Sequence, residues 1–185
     1  MTSTPDADAP EVTAWQGKWI AAKTRGRWEY ATRIGDITAA VILAVDDGYI
    51  LLVEQYRVAL GRRCIELPAG LIGDDAGGAD DDPLSAARRE LEEETGYRAA
   101  HWRDLGEFYS SPGLTDESFT LLKATGLERV GPGGGVDGED ITVHRVALAD
   151  FAATIAQFRE RGLAVDTRML LALGAGMLRD DGGPA

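Results

Sequence analysis

The stretch Arg89-Glu90-Leu91-Glu92-Glu93-Glu94-Thr95-Gly96-Tyr97 decides the fold of this chain, because it predicts a helix together with the surface that the helix presents. Asp82-Pro83 upstream is a start signal, an N-cap residue followed by proline at the first helical position, and Gly96 is a stop signal. We therefore expect a helix over 83–95. At about 100° per residue, one mostly apolar stripe that can pack on a sheet is formed by Leu84, Ala87, Arg88, Leu91 and Thr95.

Three carboxylates lie beside that stripe. Glu90, Glu93 and Glu94 fall on one arc of about 100°, whereas Glu92 lies on the other side of the helix. Two unit charges about 4 Å apart repel by about 4 kcal/mol at an effective dielectric constant of 20. Mg²⁺ or Mn²⁺ neutralises such a cluster, because hard divalent cations take carboxylate oxygen and keep positions open for phosphate. The helix alone predicts either such a metal site or a solvated acidic face.

Composition narrows the class of protein. A chain of 185 residues is one ordinary domain, and its formal net charge of −12 opposes binding to nucleic acid or to anionic membrane. An anionic substrate would therefore need local arginines and a bound metal ion. The single cysteine, Cys64, excludes an intrachain disulfide and a multi-cysteine metal site. It sits in the apolar run 64–67, so we expect a buried structural thiol rather than a nucleophile.

The expected location is the cytoplasm, with no membrane or nucleic-acid partner. The N-terminus is polar and acidic and carries no apolar signal core. The longest apolar runs, 38–45 and 49–53, are too short to span a bilayer. We expect a flexible tail over 1–16, one domain over 17–178 and a second flexible tail over 179–185.

The pattern along the chain predicts a mixed sheet covered by helices. A β-hairpin is expected over 37–45 and 49–56, around the turn Asp46-Asp47-Gly48. Further strands are predicted at 63–67, 103–110, 117–124 and 140–147, and further helices at 149–161 and 166–178. Two stretches rich in glycine and aspartate, 73–82 and 131–138, are predicted to be mobile loops. This order is typical of an α/β or α+β sandwich rather than of alternating βαβ units.

The motif resembles the Nudix box, G-x5-E-x7-R-E-U-x-E-E-x-G-U, where U is aliphatic or bulky and apolar. Gly70 opens it, and 89–97 matches the whole second half. In the first half, ten residues separate Gly70 from the next acidic position, Asp81, instead of five, which we interpret as an insertion in the loop before the helix. The resemblance implies a Nudix-type α/β/α sandwich around a mixed β-sheet.

Other segments resemble the ADP-ribose and ADP-sugar pyrophosphatases of that family. Pro112, in Ser111-Pro112-Gly113-Leu114, follows Gly96 by sixteen residues, as in the ADP-ribose branch. The resemblance covers 17–178, nearly the entire chain. The other segments that carry it are Gly17-Lys18-Trp19-Ile20, 24–29, Glu54-Gln55-Tyr56-Arg57, 66–72, Gly138-Glu139-Asp140 and Val165-Asp166-Thr167-Arg168.

The resemblance implies roles for the acidic residues. Glu90 and Glu94 would bind Mg²⁺, or Mn²⁺ as a substitute, with Glu93 assisting and the Ala69 carbonyl as a further ligand. Arg89 would orient the glutamates by ion pairing. A further acid on a distant loop would be the general base or an extra metal ligand; Glu139 fits this role, and Asp137 is the open alternative.

The resemblance also implies a substrate site. Trp19 and Trp28 would stack on a flat adenine, and stacking is worth about 1–3 kcal/mol per base. Taken alone, each tryptophan would more often be a core or hairpin residue. Glu29 would contact the base or ribose. Arg33 and Arg57 would meet the diphosphate, since a planar guanidinium suits bidentate phosphate binding. Further substrate contacts are expected from Leu71, Pro112 and Gly113.

The resemblance implies Mg²⁺-dependent hydrolysis of the diphosphate of ADP-ribose, or of a related ADP-sugar, to AMP and a sugar phosphate. It also implies a homodimer that shares the N-terminal sheet and the base site. One alternative is the same chemistry on another nucleoside diphosphate sugar or a damaged nucleotide. The other is a non-catalytic ligand-binding module with the same fold.

Overall fold

The computed structural model describes residues 5–35, 37–73, 82–136 and 138–173 and has an α+β architecture. A first, three-stranded antiparallel sheet contains β1 (Glu11–Gln16), β2 (Ile20–Arg25) and β3 (Trp28–Arg33). Residues 11–16 therefore form a strand instead of belonging to the expected tail. The reason is a cross-strand cluster in which the Glu11 carboxylate accepts hydrogen bonds from Lys23, Arg25 and Tyr30.

A second, mixed sheet carries the rest of the fold. Its strands are β4 (Thr38–Asp46), β5 (Tyr49–Arg57), β6 (Arg62–Glu66), β7 (Ala69–Ile72), β8 (Tyr97–Tyr109), β9 (Ser118–Arg129), β10 (Thr142–Ala147) and β11 (Ala164–Val165). Their order is β11-β6-β5-β4-β9-β8, with β10 beside β5 and β7 beside β4. The β4–β9 and β6–β11 pairs are parallel, and the other described pairs are antiparallel.

The predicted hairpin is confirmed, but its two strands separate soon after the turn. They pair only at Val45 with Ile50 and at Asp46 with Tyr49. Beyond that point β4 pairs with β7 and β9, while β5 pairs with β6 and β10. The separation opens the sheet between its two halves. Strands β7 and β11 of this sheet were not predicted from the sequence. They have four and two residues, too few for an alternating apolar pattern to be recognised.

The helix of the acidic motif is confirmed over its predicted span. It consists of α1 (Pro83–Glu90) and a π-helical turn, Leu91–Thr95, and it stops at Gly96, whose φ of 75° is left-handed. The helix at 149–161 is confirmed as α2 (Phe151–Glu160), and the one at 166–178 begins as α3 (Arg168–Leu173). The loop residues 74–81 and the tail 179–185 lie outside the described residues. Among the helices described, none is long and apolar enough to cross a bilayer.

Strand β4 is buried on both faces and separates two cores. Its odd-numbered side chains, from Ala39 to Val45, pack in a cluster with Phe151, Ile155 and Phe158 of α2. Its even-numbered side chains pack in a second cluster that reaches α1. Small side chains let two elements approach closely, and half of this second cluster is alanine: Ala40, Ala44, Ala86, Ala87 and Ala124.

The N-cap of α1 gives the first testable prediction. The Asp82 carboxylate accepts hydrogen bonds from the N–H groups of Leu84 and Ser85, at 2.9 and 3.0 Å. Asp82→Ala should lower the free energy of unfolding by about 1 kcal/mol. Urea unfolding followed by circular dichroism measures this loss. Asp82→Asn keeps the cap and is the matched control; equal losses in both variants would contradict the assignment.

Candidate active site

The Glu90 carboxylate lies directly against the backbone of Gly70. A Cβ atom at position 70 would overlap the side chain of Glu90, so the opening glycine of the motif leaves room for Glu90 to lie on the backbone in this position. Arg89 Nη2 lies 3.7 Å from Glu90 Oε1. The close approach of α1 to the sheet thus brings the first predicted metal ligand onto β7.

Glu94 is a buried acid of the site with a strongly raised pKa. It is 5% exposed, and its Oε2 accepts a hydrogen bond of 3.0 Å from the Ala69 N–H. The pKa of Glu94 is raised from 4.5 to about 8, chiefly by burial and in addition by the charges of Glu90 and Glu139, against the opposing effects of the Ala69 amide and Arg57. The structure therefore brings Glu90, Glu94 and Glu139 within electrostatic reach of one another.

The segment that leads to Glu139 is anchored on the end of the acidic helix. The last carbonyls of a helix have no partner within it. Here Gly134 N–H donates to the Glu94 carbonyl at 2.8 Å, and Gly135 N–H donates to the Glu93 carbonyl at 3.0 Å. Glu139 Oε2 accepts from the Val136 N–H at 3.0 Å. The start of the loop predicted at 131–138 is thus tied to the site, while Asp137 lies outside the described residues.

The acidic groups suit a hard cation in their chemistry. In the described part of the chain, no three His, Cys, Asp or Glu side chains are close enough to hold a metal ion as they stand. The donors that converge are nevertheless all oxygen, as Mg²⁺ and Mn²⁺ prefer. A buried carboxylate with a raised pKa, facing two further carboxylates, is the charge imbalance that a divalent cation relieves.

A large cavity opens beside the glutamates. Its volume is about 890 Å³, and Ala69 and Gly70 form the part of its wall that contacts Glu94 and Glu90. Arg33, Arg57 and Leu71, all predicted to contact substrate, line it as well. A cavity of this size accommodates a small organic ligand.

Buried acids hold the arginines of this cavity in place. Both oxygens of Glu66, which is 2% exposed, accept hydrogen bonds of 2.7 Å from Arg57. Arg168 Nη2 lies 3.4 Å from Glu66 and donates to Asp166 at 2.6 Å. Arg57 remains 43% exposed, so its guanidinium is fixed and still accessible to an anion.

Sequence reasoning did not assign a site role to Arg62 or Arg168, although both line this cavity. For Arg168 a signal was present, because the segment 165–168 is one of those that carried the family resemblance. Arg62 had no such signal: it reaches the cavity through the register in which it pairs with Arg57 on β5.

A second, smaller cavity holds the other group of predicted substrate residues. Its volume is about 360 Å³, and its wall includes Trp28, Pro112 and Gly113. Trp19 and Glu29 line neither of these two cavities. Trp19 is 61% exposed, with Lys18 Nζ 4.3 Å from its ring centroid. Within one chain, the two tryptophans therefore do not face one another across either cavity.

Cys64 also lines the large cavity, but as an inert thiol. It is 3% exposed, and burial raises the pKa of its thiol to about 12. A thiol with this pKa stays protonated at neutral pH and is a poor nucleophile. The prediction of a buried structural cysteine is confirmed.

Comparison with known proteins agrees with this geometry. The family model described as the NUDIX domain matches residues 36–161. The solved structure titled "Crystal structure of ADP compounds hydrolase" superposes with a TM-score of 0.65 over 80% of each chain, at 19% sequence identity. At that identity, the superposition shows that the fold is shared.

Two curated relatives come from different substrate branches. An ADP-ribose pyrophosphatase from Mycobacterium tuberculosis is 42% identical over 119 residues, which are 63% of this chain and 56% of that protein. A GDP-mannose pyrophosphatase from Citrobacter koseri is 35% identical over 114 residues, which are 57% of this chain and 56% of that protein. The chain therefore spans little more than half the length of each of these relatives.

The raised pKa of Glu94 predicts a pH-dependent stability in the metal-free protein. Between pH 4.5 and about 8, folded Glu94 holds a proton that the unfolded chain has already released, so stability falls as the pH rises. Glu94→Gln removes this ionisation. In EDTA, the melting temperature of Glu94→Gln minus that of the parent should increase by several degrees between pH 5 and pH 8. This increase corresponds to a change on the order of a few kcal/mol in the difference between their free energies of unfolding.

Glu92→Gln is the matched control for this measurement. Glu92 is on the same turn, but it is partly exposed and pairs with Arg98 at 2.7 Å. Its melting temperature should follow that of the parent across the pH range. If the melting temperatures of Glu94→Gln and the parent also change in parallel with pH, Glu94 is not the buried acid with a raised pKa described above.

Proposed function

The chain belongs to the NUDIX domain family, and on that premise we propose that it is a Mg²⁺-dependent pyrophosphatase of ADP-ribose or a related ADP-sugar. The products would be AMP and a sugar phosphate. The relatives described above support a nucleoside diphosphate sugar as the class of substrate, because their names are ADP-ribose pyrophosphatase and GDP-mannose pyrophosphatase. Mn²⁺ would serve as a substitute for Mg²⁺, since both are hard cations that prefer oxygen ligands.

The observation that carries the proposal is the place of Glu94. Its carboxylate is buried within reach of the Glu90 and Glu139 charges, and its partner Ala69 forms part of the wall of the 890 Å³ cavity. A cluster of acids beside an anion-binding cavity would be repulsive without a cation. We propose Glu90, Glu94, Glu139 and the Ala69 carbonyl as its ligands, with Glu93 assisting.

In this mechanism, the cation held by these residues would supply positive charge that neutralises the diphosphate and would lower the pKa of a bound water. The residues of the chain prepare that chemistry. Glu94 must release its proton before it can bind a cation, and Arg89 orients Glu90. Glu139 would serve either as a cation ligand or as the general base that accepts the proton of the attacking water, and Asp137 is the alternative acid for the second role.

The arginines of the large cavity would bind and orient the diphosphate. Arg57 is fixed by Glu66 and Arg33 by Glu117, at 2.7 and 2.9 Å, so neither loses much freedom on binding an anion. Leu71 would cover the sugar side. The adenine would lie in the smaller cavity against Trp28, Pro112 and Gly113, with Glu29 near the base or ribose.

The proposal includes a homodimer in the cytoplasm. Apolar side chains of the N-terminal sheet are about half exposed: Val12 is 55% exposed, Trp15 58% and Ile20 46%. A second copy that covers this sheet would remove them from water, and it would bring the partner's Trp19 to the base.

Product analysis tests the proposed function. ADP-ribose, GDP-mannose, NADH and 8-oxo-dGDP are each incubated with the protein in Mg²⁺ and in EDTA. We expect Mg²⁺-dependent release of AMP and ribose 5-phosphate from ADP-ribose. Glu94→Gln should retain the fold and lose turnover by roughly a hundredfold or more, because a cation ligand is lost. Glu92→Gln should retain activity.

The other outcomes separate the alternatives. Turnover of GDP-mannose or 8-oxo-dGDP in place of ADP-ribose would keep the reaction and reject the substrate. Binding of ADP-ribose without any turnover would favour a ligand-binding module. Activity of Glu94→Gln within a fewfold of the parent would contradict the metal assignment.

Trp28→Ala should raise the KM for ADP-ribose by roughly tenfold or more, because stacking on a base is worth about 1–3 kcal/mol. The kcat should change little, since Trp28 lies in the smaller cavity, away from the glutamates. Steady-state kinetics measures both constants. Trp28→Phe keeps an aromatic face and should recover most of the affinity; an unchanged KM in Trp28→Ala would leave that tryptophan with a structural role only.

A further inference from the structure

We propose that Arg63 is a positioning residue for Glu139, an inference that rests on the proposed function. Arg63 is on β6 and lines neither of the two cavities described above. Its guanidinium binds the residue that directly follows Glu139. Arg63 Nη1 donates to Asp140 Oδ2 at 2.6 Å, and Nη2 donates to the Asp140 carbonyl at 3.2 Å.

The other side of the guanidinium is fixed by β5. Arg63 Nε donates to Glu54 Oε1 at 2.6 Å, and Nη2 donates to the Glu54 carbonyl at 3.1 Å. Glu54 is only 6% exposed, and its second oxygen lies 3.0 Å from His144 Nε2 and 3.6 Å from Arg161 Nη2. Four hydrogen bonds therefore bridge a buried acid on the sheet and the chain next to Glu139.

Together with the contacts of Gly134 and Gly135, this bridge holds Glu139 from both directions along the chain. On the N-terminal side, Gly134 and Gly135 are bonded to the carbonyls of Glu94 and Glu93. On the C-terminal side, Arg63 holds Asp140. The general base proposed above is thus placed relative to the helical glutamates through one anchor on the helix and one on the sheet.

The Arg63–Asp140 pair is better suited to positioning than to stability. The Asp140 side chain is 81% exposed, and exposed ion pairs contribute little to stability. Misplacing a group that supports a metal ligand typically costs about 10–100-fold in activity or metal affinity. The contact of Arg63 with Asp140 should therefore matter more for turnover than for folding.

The test compares Arg63→Ala with Arg161→Ala. Arg161 also lies beside Glu54 and is not among the residues that contact Asp140 in the described part of the chain. We expect Arg63→Ala to lower kcat for ADP-ribose by about 10–100-fold and to weaken Mn²⁺ binding, measured by electron paramagnetic resonance. The KM should stay within about twofold. Arg161→Ala should behave like the parent.

A double variant separates positioning from a general structural effect. If Arg63 acts through Glu139, then Arg63→Ala should add little to the loss already caused by Glu139→Gln. Arg63→Lys should recover little, because an ammonium group cannot form the planar bridge to both acids. The proposal is overturned if the two losses multiply in full, or if Arg63→Ala lowers the melting temperature without lowering kcat.

Amide exchange in the metal-free protein keeps the test independent of the reaction. The Val136 N–H donates to Glu139 Oε2 at 3.0 Å, and the Glu139 N–H donates to the Val136 carbonyl at 3.0 Å. Their exchange, measured by NMR, should be faster in Arg63→Ala and unchanged in Arg161→Ala. If the parent protein hydrolyses none of the panel, the proposed function fails, and the exchange rates still decide whether Arg63 orders this segment; equal rates in parent and Arg63→Ala would reject that.

Discussion

Alanine packs against alanine where α1 meets the mixed sheet, and the placement of the acidic groups depends on this contact. Ala86 and Ala87 of α1 and Ala40 and Ala44 of β4 are all fully or almost fully buried in one cluster. Larger side chains would hold the helix further from the sheet. The Glu90 carboxyl group could then not lie on Gly70, and Glu94 could not reach the backbone of Ala69. Site geometry here follows from core packing.

Local signals predicted the local elements. The start at Asp82-Pro83, the stop at Gly96 and the hairpin turn are encoded by neighbouring residues, and the structure has each of them. The acidic arc was also correctly placed on one helix. Its last turn is π-helical, which turns less per residue than an α-helix and so shifts Glu93 and Glu94 from the positions that steps of 100° would give them. A helical wheel with one fixed period cannot predict that change.

What the sequence could not predict is non-local. The strand at 11–16 exists because the Glu11 carboxylate meets three partners on two later strands. Arg63 reaches Asp140 across 77 positions, and Arg33 reaches Glu117 across 84. The two cavities divide the predicted substrate residues for the same reason, since the chain folds Pro112 next to Trp28 rather than next to Leu71. Periodicity and spacing carry no information on such pairings.

The hydrogen bonds of Gly134 and Gly135 to the acidic helix limit which insertions, deletions and substitutions this segment can tolerate. The contacts of Gly134 and Gly135 with the acidic helix are made by backbone N–H groups, which every residue except proline possesses. The number of residues from Gly135 to Glu139 therefore sets how far the Glu139 carboxylate lies from the helix. A deletion within it would move the carboxylate by up to about 3.5 Å for each residue removed. Gly134 and Gly135 have φ angles of 107° and 85°, and a Cβ atom at position 135 would overlap Glu139 Oε2. This segment is therefore constrained in its length and at its glycine positions.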